Sequence, residues 1–170
     1  MTIAEFWNIV DRVKRASGPS LEKRASVLGE ELAKLAPAEL VAFDQVLGQL
    51  SVRAYNWHLW AAATVIWGGF CSDDVFLGFR PWLISLGREQ YESALADPDS
   101  LAEVEFGNGG EEEAFFEAFY DVVNRTYEAM TGNKMPIGNE DFPSEPTGKP
   151  WEYKELPSLC PRLWAKWGDG

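Results

Sequence analysis

The side chains best suited to chemistry fall in one stretch, Tyr55 to Gly87. Cys71, Ser72, Asp73 and Asp74 stand in a row, and Arg80 follows within the same predicted helix. Ser72 has the position of an N-cap, so Cys71 lies near the positive end of a helix, where a thiol is drawn toward the nucleophilic thiolate. Asp73 and Asp74 act on it the other way, because neighbouring carboxylates raise a thiol's pKa. Either aspartate has the chemistry of a general base or a metal ligand, and Arg80 has the planar fork that grips a carboxylate or phosphate. Asp73 and Arg80 share a helix face two turns apart and can pair along it. His58, the single histidine, is the conventional general base near neutral pH. These five residues are the candidate catalytic set.

Each of them also has a structural role open to it. Ser72 caps, the aspartates complement the helix dipole, Cys71 packs, and His58, between Trp57 and Trp60 in the sequence, is a packed or interface histidine. CxxC and HExxH are absent, so the sequence implies no metal site. There is no GxSxG elbow and no GxxxxGK[ST] loop. Gly68-Gly69 and the glycines at 107, 109 and 110 read as caps and turns, and no cofactor is implied. Trp57, Trp60, Trp82 and Trp151 are the candidate binding residues, since indoles supply large contact areas. Core packing is the default for most tryptophans. Trp151, Trp164 and Trp167, in the less regular C-terminal part, suit a partner-facing surface better.

The elements that must position these residues are helical. Thr2 and Glu5 have capping-box spacing at the start of a first helix. Ser20 caps a second, and Pro37 opens a third that is read as running toward Tyr55. Trp57 to Trp67 is apolar nearly all round, the pattern of a central buried helix. Gly68-Gly69 ends it. The helix after Ser72 carries Phe76, Phe79, Trp82, Leu83 and Leu86 on one face, with Pro81 expected to kink it. Arg88 to Ala96 is a further short helix, stopped by Asp97-Pro98. After a glycine-rich loop at Phe106 to Gly110, a long helix is predicted from Glu111 to about Met130. Five prolines then punctuate Lys134 to Pro157, and a short helix from about Ser158 to Trp167 closes the chain. The expected fold class is all-α: a multi-helix domain over residues 1–133, with a Pro-rich irregular arm and short helix over 134–170 packed on the same domain.

Composition narrows the functional classes. The 170 residues are 46% hydrophobic and carry a net charge of −12. The charge is localised: residues 89–145 hold fifteen acids against Arg125 and Lys134. Such a field repels phosphate backbones, which argues against nucleic acid, and attracts a basic protein partner. No apolar run approaches the ~20 residues of a membrane helix. The N-terminal segment is amphipathic and lacks the apolar region of a signal peptide, so the expected location is the cytoplasm. Two cysteines make no disulfide framework. Oligomeric state is not legible.

The run from Trp57 through Leu59, Trp60, Ala61, Ala62, Gly68, Gly69, Cys71, Ser72, Asp73, Asp74 and Phe76 to Phe79, Arg80, Trp82, Leu83, Ile84, Gly87 and Arg88 resembles the core of a bacterial family, domain of unknown function 4240. The Ala94–Leu101 segment and the Pro-rich tail around Leu156, Pro157, Leu159, Pro161 and Leu163 are similar to it as well. The resemblance implies an all-helical bacterial domain and no established activity. Two expectations follow. One is a cytoplasmic accessory protein that binds a basic protein through segment 89–145 or the Trp-bearing tail. The other is a small enzyme, possibly biosynthetic, with a pocket around His58, Cys71, Asp73, Asp74 and Arg80. Convergence of those five side chains on one cavity separates the two.

Overall fold

Local signals start most of the helices. In the computed structural model, which describes residues 1–105, 114–138 and 142–168, Thr2 and Glu5 close a reciprocal capping box on α1 (Ile3–Ser17). Ser20 caps α2 (Leu21–Leu32) through the Lys23 N–H, and Pro37 opens α3 (Pro37–Arg53). Asn56 caps α4 (Trp57–Ile66) through the Leu59 N–H. Ser72 caps α5 (Asp73–Ser85) through the Val75 N–H. Then come α6 (Arg88–Ala96), a 3₁₀ turn (Pro98–Glu103) and α7 (Ala118–Thr131). A 3₁₀ turn (Tyr153–Glu155), α8 (Leu156–Leu159) and α9 (Pro161–Trp167) end the described chain. The fold is all-α; the described residues hold no strand, and a single bridge pairs Asn56 with Thr147.

Apolar spacing along these helices builds one core. Phe6, Phe43 and Phe119 stack inward from α1, α3 and α7, with ring centroids 4.5 Å (Phe6–Phe43) and 6.3 Å (Phe43–Phe119) apart. Trp7 leans on Tyr91 of α6. Removing a phenylalanine side chain from water contributes roughly 2–3 kcal/mol. Helix α4 is buried on every side from Ala61 to Ile66, as its composition predicts. Gly69 ends it at φ +100°, and any Cβ there would meet the Tyr153 hydroxyl at 2.9 Å. Helix α5 lies against α1, α3, α4 and α7. It continues through Pro81 to Ser85. The carbonyl that loses its donor to Pro81 belongs to Leu77, which is exposed.

Three boundaries differ from the sequence reading. The third helix stops at Arg53 rather than approaching Tyr55, because Asn56 turns the chain to cap α4. The helix expected from Glu111 begins at Ala118. Phe116 lies before it, and its N–H donates to the Gly78 carbonyl of α5 at 2.9 Å, which holds the backbone out of helix. Gly78 makes this approach possible: a methyl group there would overlap the Phe115 ring. The glycine-rich loop and Glu111–Glu113 lie outside the described residues. The closing helix is split at Cys160, whose non-helical backbone (φ −134°, ψ 63°) precedes Pro161.

The C-terminal segment is fastened to the helical body at two places. The Thr147 N–H donates to Tyr55 O at 3.0 Å, the Trp57 N–H donates to Thr147 O at 2.9 Å, and the Trp151 indole N–H donates to Trp57 O at 2.7 Å. Further on, α8 and α9 pack on α4 and on the 3₁₀ turn at Pro98–Glu103.

Candidate functional site

The five candidate residues divide into exposed and buried ones. His58 is on the exposed side of α4, and its Nε2 lies 3.3 Å from Leu159 O of α8. A carbonyl oxygen only accepts, so this contact places the ring proton on Nε2. Its sequence neighbours Trp57 and Trp60 stack on each other, 5.4 Å apart and 14° from parallel. Asp73 and Asp74 are exposed in the first turn of α5, where free N–H groups and the dipole favour acids. Cys71 is buried, and its thiol faces the Ser72 carbonyl at 3.8 Å. Burial pushes this thiol up to about 12; Asp73 adds to the rise, and the Trp60 indole pulls against it. Proximity to a helix N-terminus therefore does not produce a ready thiolate.

Arg80 is also buried, on the face of α5 that meets α3. Its Nε donates to Phe76 O at 3.3 Å and its Nη1 to Ser51 O at 3.4 Å. Its guanidinium lies over the rings of Phe142, Tyr55 and Phe76, at 4.8, 4.9 and 5.5 Å. Burial lowers its pKa, opposed by the Tyr120 and Tyr55 hydroxyls. Arginine stays protonated all the same. Asp73 and Arg80 do not pair along α5: one faces solvent and the other faces the core.

The four tryptophans proposed as binding residues take structural positions. Trp57, Trp60, Phe76, Phe79 and Trp82 form a continuous ladder of ring contacts from α4 into α5. The Trp60 indole N–H donates to Cys71 O at 2.9 Å, closing the turn between the two helices. Trp82 is buried. Trp151 is half-buried, and its indole N–H holds the arm.

Sequence reasoning missed two polar clusters. Asp99 is 4% exposed, and its carboxylate accepts from the backbone N–H groups of Arg162 (3.0 Å) and Leu163 (2.9 Å) and from Arg162 Nε (3.1 Å). Arg162 also reaches Asp97 and Glu103, each at 2.8 Å. The signal was there as a run of acids at 97–103, but its partner lies some sixty residues on. The second cluster centres on Arg24, which is buried and donates to Ser17 Oγ, Ser85 Oγ and Gly18 O. Arg24 borders a cleft of about 1030 Å³ between α1, α6 and the first 3₁₀ turn. Asp11, Lys14, Arg15, Glu89, Glu103 and Glu105 also line it, and none of the five candidate residues does. Burial, helped by the charge of Arg24, lowers the pKa of Lys14, whose Nζ meets Gln90 Oε1 at 3.0 Å. Among the described residues no group of three or more His, Cys, Asp or Glu side chains is placed to hold a metal ion. No helix among them is long and apolar enough to cross a membrane.

An all-α body with a fastened C-terminal arm is thus the class of protein the geometry defines. The chain belongs to the family described as Protein of unknown function (DUF4240), whose model matches residues 1–129. The resemblance read from the central motif is therefore correct at the level of family. No curated protein and no solved structure matches the chain.

Proposed function

We propose that this is a non-catalytic cytoplasmic accessory protein that binds a protein partner with a basic surface. The observation that carries the reading is the position of the acidic segment. Its first stretch supplies one wall of the large cleft, through Glu89, Glu103 and Glu105. Glu117, just before α7, and Asp121 and Glu128 on α7 belong to the same segment and are exposed. Lys14, Arg15 and Arg24 line the cleft elsewhere, so the acidic wall and the exposed acids beyond it are the surfaces that draw cationic groups. The enzyme reading has less support: His58, Asp73 and Asp74 are exposed, while Cys71 and Arg80 are buried.

Titration with a lysine- and arginine-rich peptide, followed by calorimetry, tests this reading. Binding at low ionic strength is expected to weaken steadily with added salt, and to weaken again in Glu89→Gln and Glu105→Gln. No binding at low salt, or binding indifferent to salt and to both substitutions, overturns it.

A further inference from the structure

Arg80 is a buried cation with no ion pair among the described residues. It is 3% exposed, and buried charges in proteins are ordinarily paired. Among the described residues no carboxylate forms an ion pair with it. Its two hydrogen bonds go to backbone carbonyls, at the long end of the normal range, and Nη2 makes none among the described residues. The Ser51 hydroxyl, bonded to Tyr120 at 2.6 Å, adjoins it. Ring faces supply the remaining stabilisation, through cation–π contact.

One of those rings is unlike the others. Tyr55 and Phe76 belong to the helical body, whereas Phe142 comes from the C-terminal arm and is 49% exposed. Its ring lies over the guanidinium at 4.8 Å and over Tyr55 at 5.0 Å. The arm's backbone bonds are made further on, at Thr147. Among the described residues Phe142 meets this cage through its ring alone.

We propose that Arg80 anchors a binding site for the carboxylate of a small aromatic or apolar acid, and that Phe142 covers this site in the structure. A planar guanidinium matches a carboxylate in bidentate fashion. Beside one cation, a single negative charge is balanced, whereas phosphate calls for more donors. Tyr55 and Phe76 offer apolar walls for the rest of the ligand, the usual composition of a small-molecule site. The site is separate from the acidic cleft and does not depend on the basic-partner reading.

The test removes the cover. Phe142→Ala is titrated calorimetrically with phenylacetate, benzoate, indole-3-acetate and hexanoate, and with inorganic phosphate. At least one carboxylate is expected to bind saturably, about tenfold or more tighter than to the unsubstituted protein, because a competing occupant is gone. Arg80→Lys in the Phe142→Ala background keeps the charge and loses the fork, and is expected to weaken binding about tenfold. Circular dichroism and the melting temperature establish that each variant is folded. If folded Phe142→Ala binds no carboxylate up to about 10 mM, the proposal fails. It fails equally if Arg80→Lys binds unchanged, or if phosphate binds as well as the carboxylates.

Discussion

Two arginines lie where the C-terminal segment meets the helical body, and their surroundings are opposite. Arg162 sits at the rim with its side chain about half exposed and holds Asp97, Asp99 and Glu103. Its pKa is raised, chiefly by the hydrogen bond to Asp99. Arg80 is buried, keeps no carboxylate among the described residues, and is surrounded by rings. At the rim, water solvates the outward parts of each ion, so several charges can gather at little desolvation cost. In the interior a carboxylate would bring its own desolvation penalty, and ring faces stabilise the cation without one. The acid excess of the chain thus serves anchoring where solvent reaches, and the interior cation rests on carbonyls and ring faces instead.

Each region also contains one buried thiol, and alkaline pH tests both at once. Cys160 closes α8 beside the Arg162 cluster, and Cys71 precedes the helix of Arg80. Burial pushes each thiol up to about 12, with Asp99 and Asp97 adding at Cys160. A pKa raised on folding means the folded state holds the proton longer. That stability is complete below the unfolded thiol's pKa of about 8.5 and is lost as pH rises toward the folded value. Unfolding free energies from urea titration are expected to fall between pH 9 and 11, by an amount on the order of a few kcal/mol. Cys71→Ser and Cys160→Ser should each flatten part of the slope, and an unchanged slope in both would contradict the burial.

Asp99→Ala is expected to cost about 3 kcal/mol, since it removes a buried carboxylate that caps α9 and fixes Arg162. Equilibrium urea unfolding reads this directly, and a loss within about 0.5 kcal/mol would place the cluster among ordinary surface pairs. Gly78→Ala, on the helix of Arg80, should cost about 1–2 kcal/mol by overpacking against Phe115. Phe115→Ala should relieve much of that cost, visible as non-additivity in a double-mutant cycle. The smallest effect is expected at Arg80 itself. Arg80→Met should change stability by no more than about 1 kcal/mol, because an apolar side chain of similar length replaces an unmatched buried charge. A loss above about 2 kcal/mol would make Arg80 a structural residue like Arg162 and erase the contrast.

The legible part of this fold was the part decided within a few residues. The Thr2, Ser20 and Ser72 caps, the Pro37 start and the Gly68-Gly69 stop all appear where the sequence places them. The start of α7 was not legible, since it depends on a bond from Phe116 to Gly78 that no local pattern signals. Pro161 did carry a local signal for the break in the closing helix, and the periodicity of Leu159, Leu163 and Trp167 obscured it. At the candidate site the chemical types were visible and their surroundings were not. Nothing in the spacing of Asp73 and Arg80 reveals that one faces water and the other a cage whose outer ring, Phe142, comes from the arm.

The stacked Trp57–Trp60 pair has an optical consequence. Two near-parallel indoles 5.4 Å apart have strongly coupled transition dipoles, and in a chiral setting such coupling gives a paired positive and negative band in circular dichroism. The Trp57 indole belongs to the residue whose backbone N–H donates to Thr147 O and whose carbonyl accepts from the Trp151 indole. Release of the arm would therefore disturb the couplet while helix content stayed constant, so the protein carries its own unlabelled reporter of whether that arm is seated.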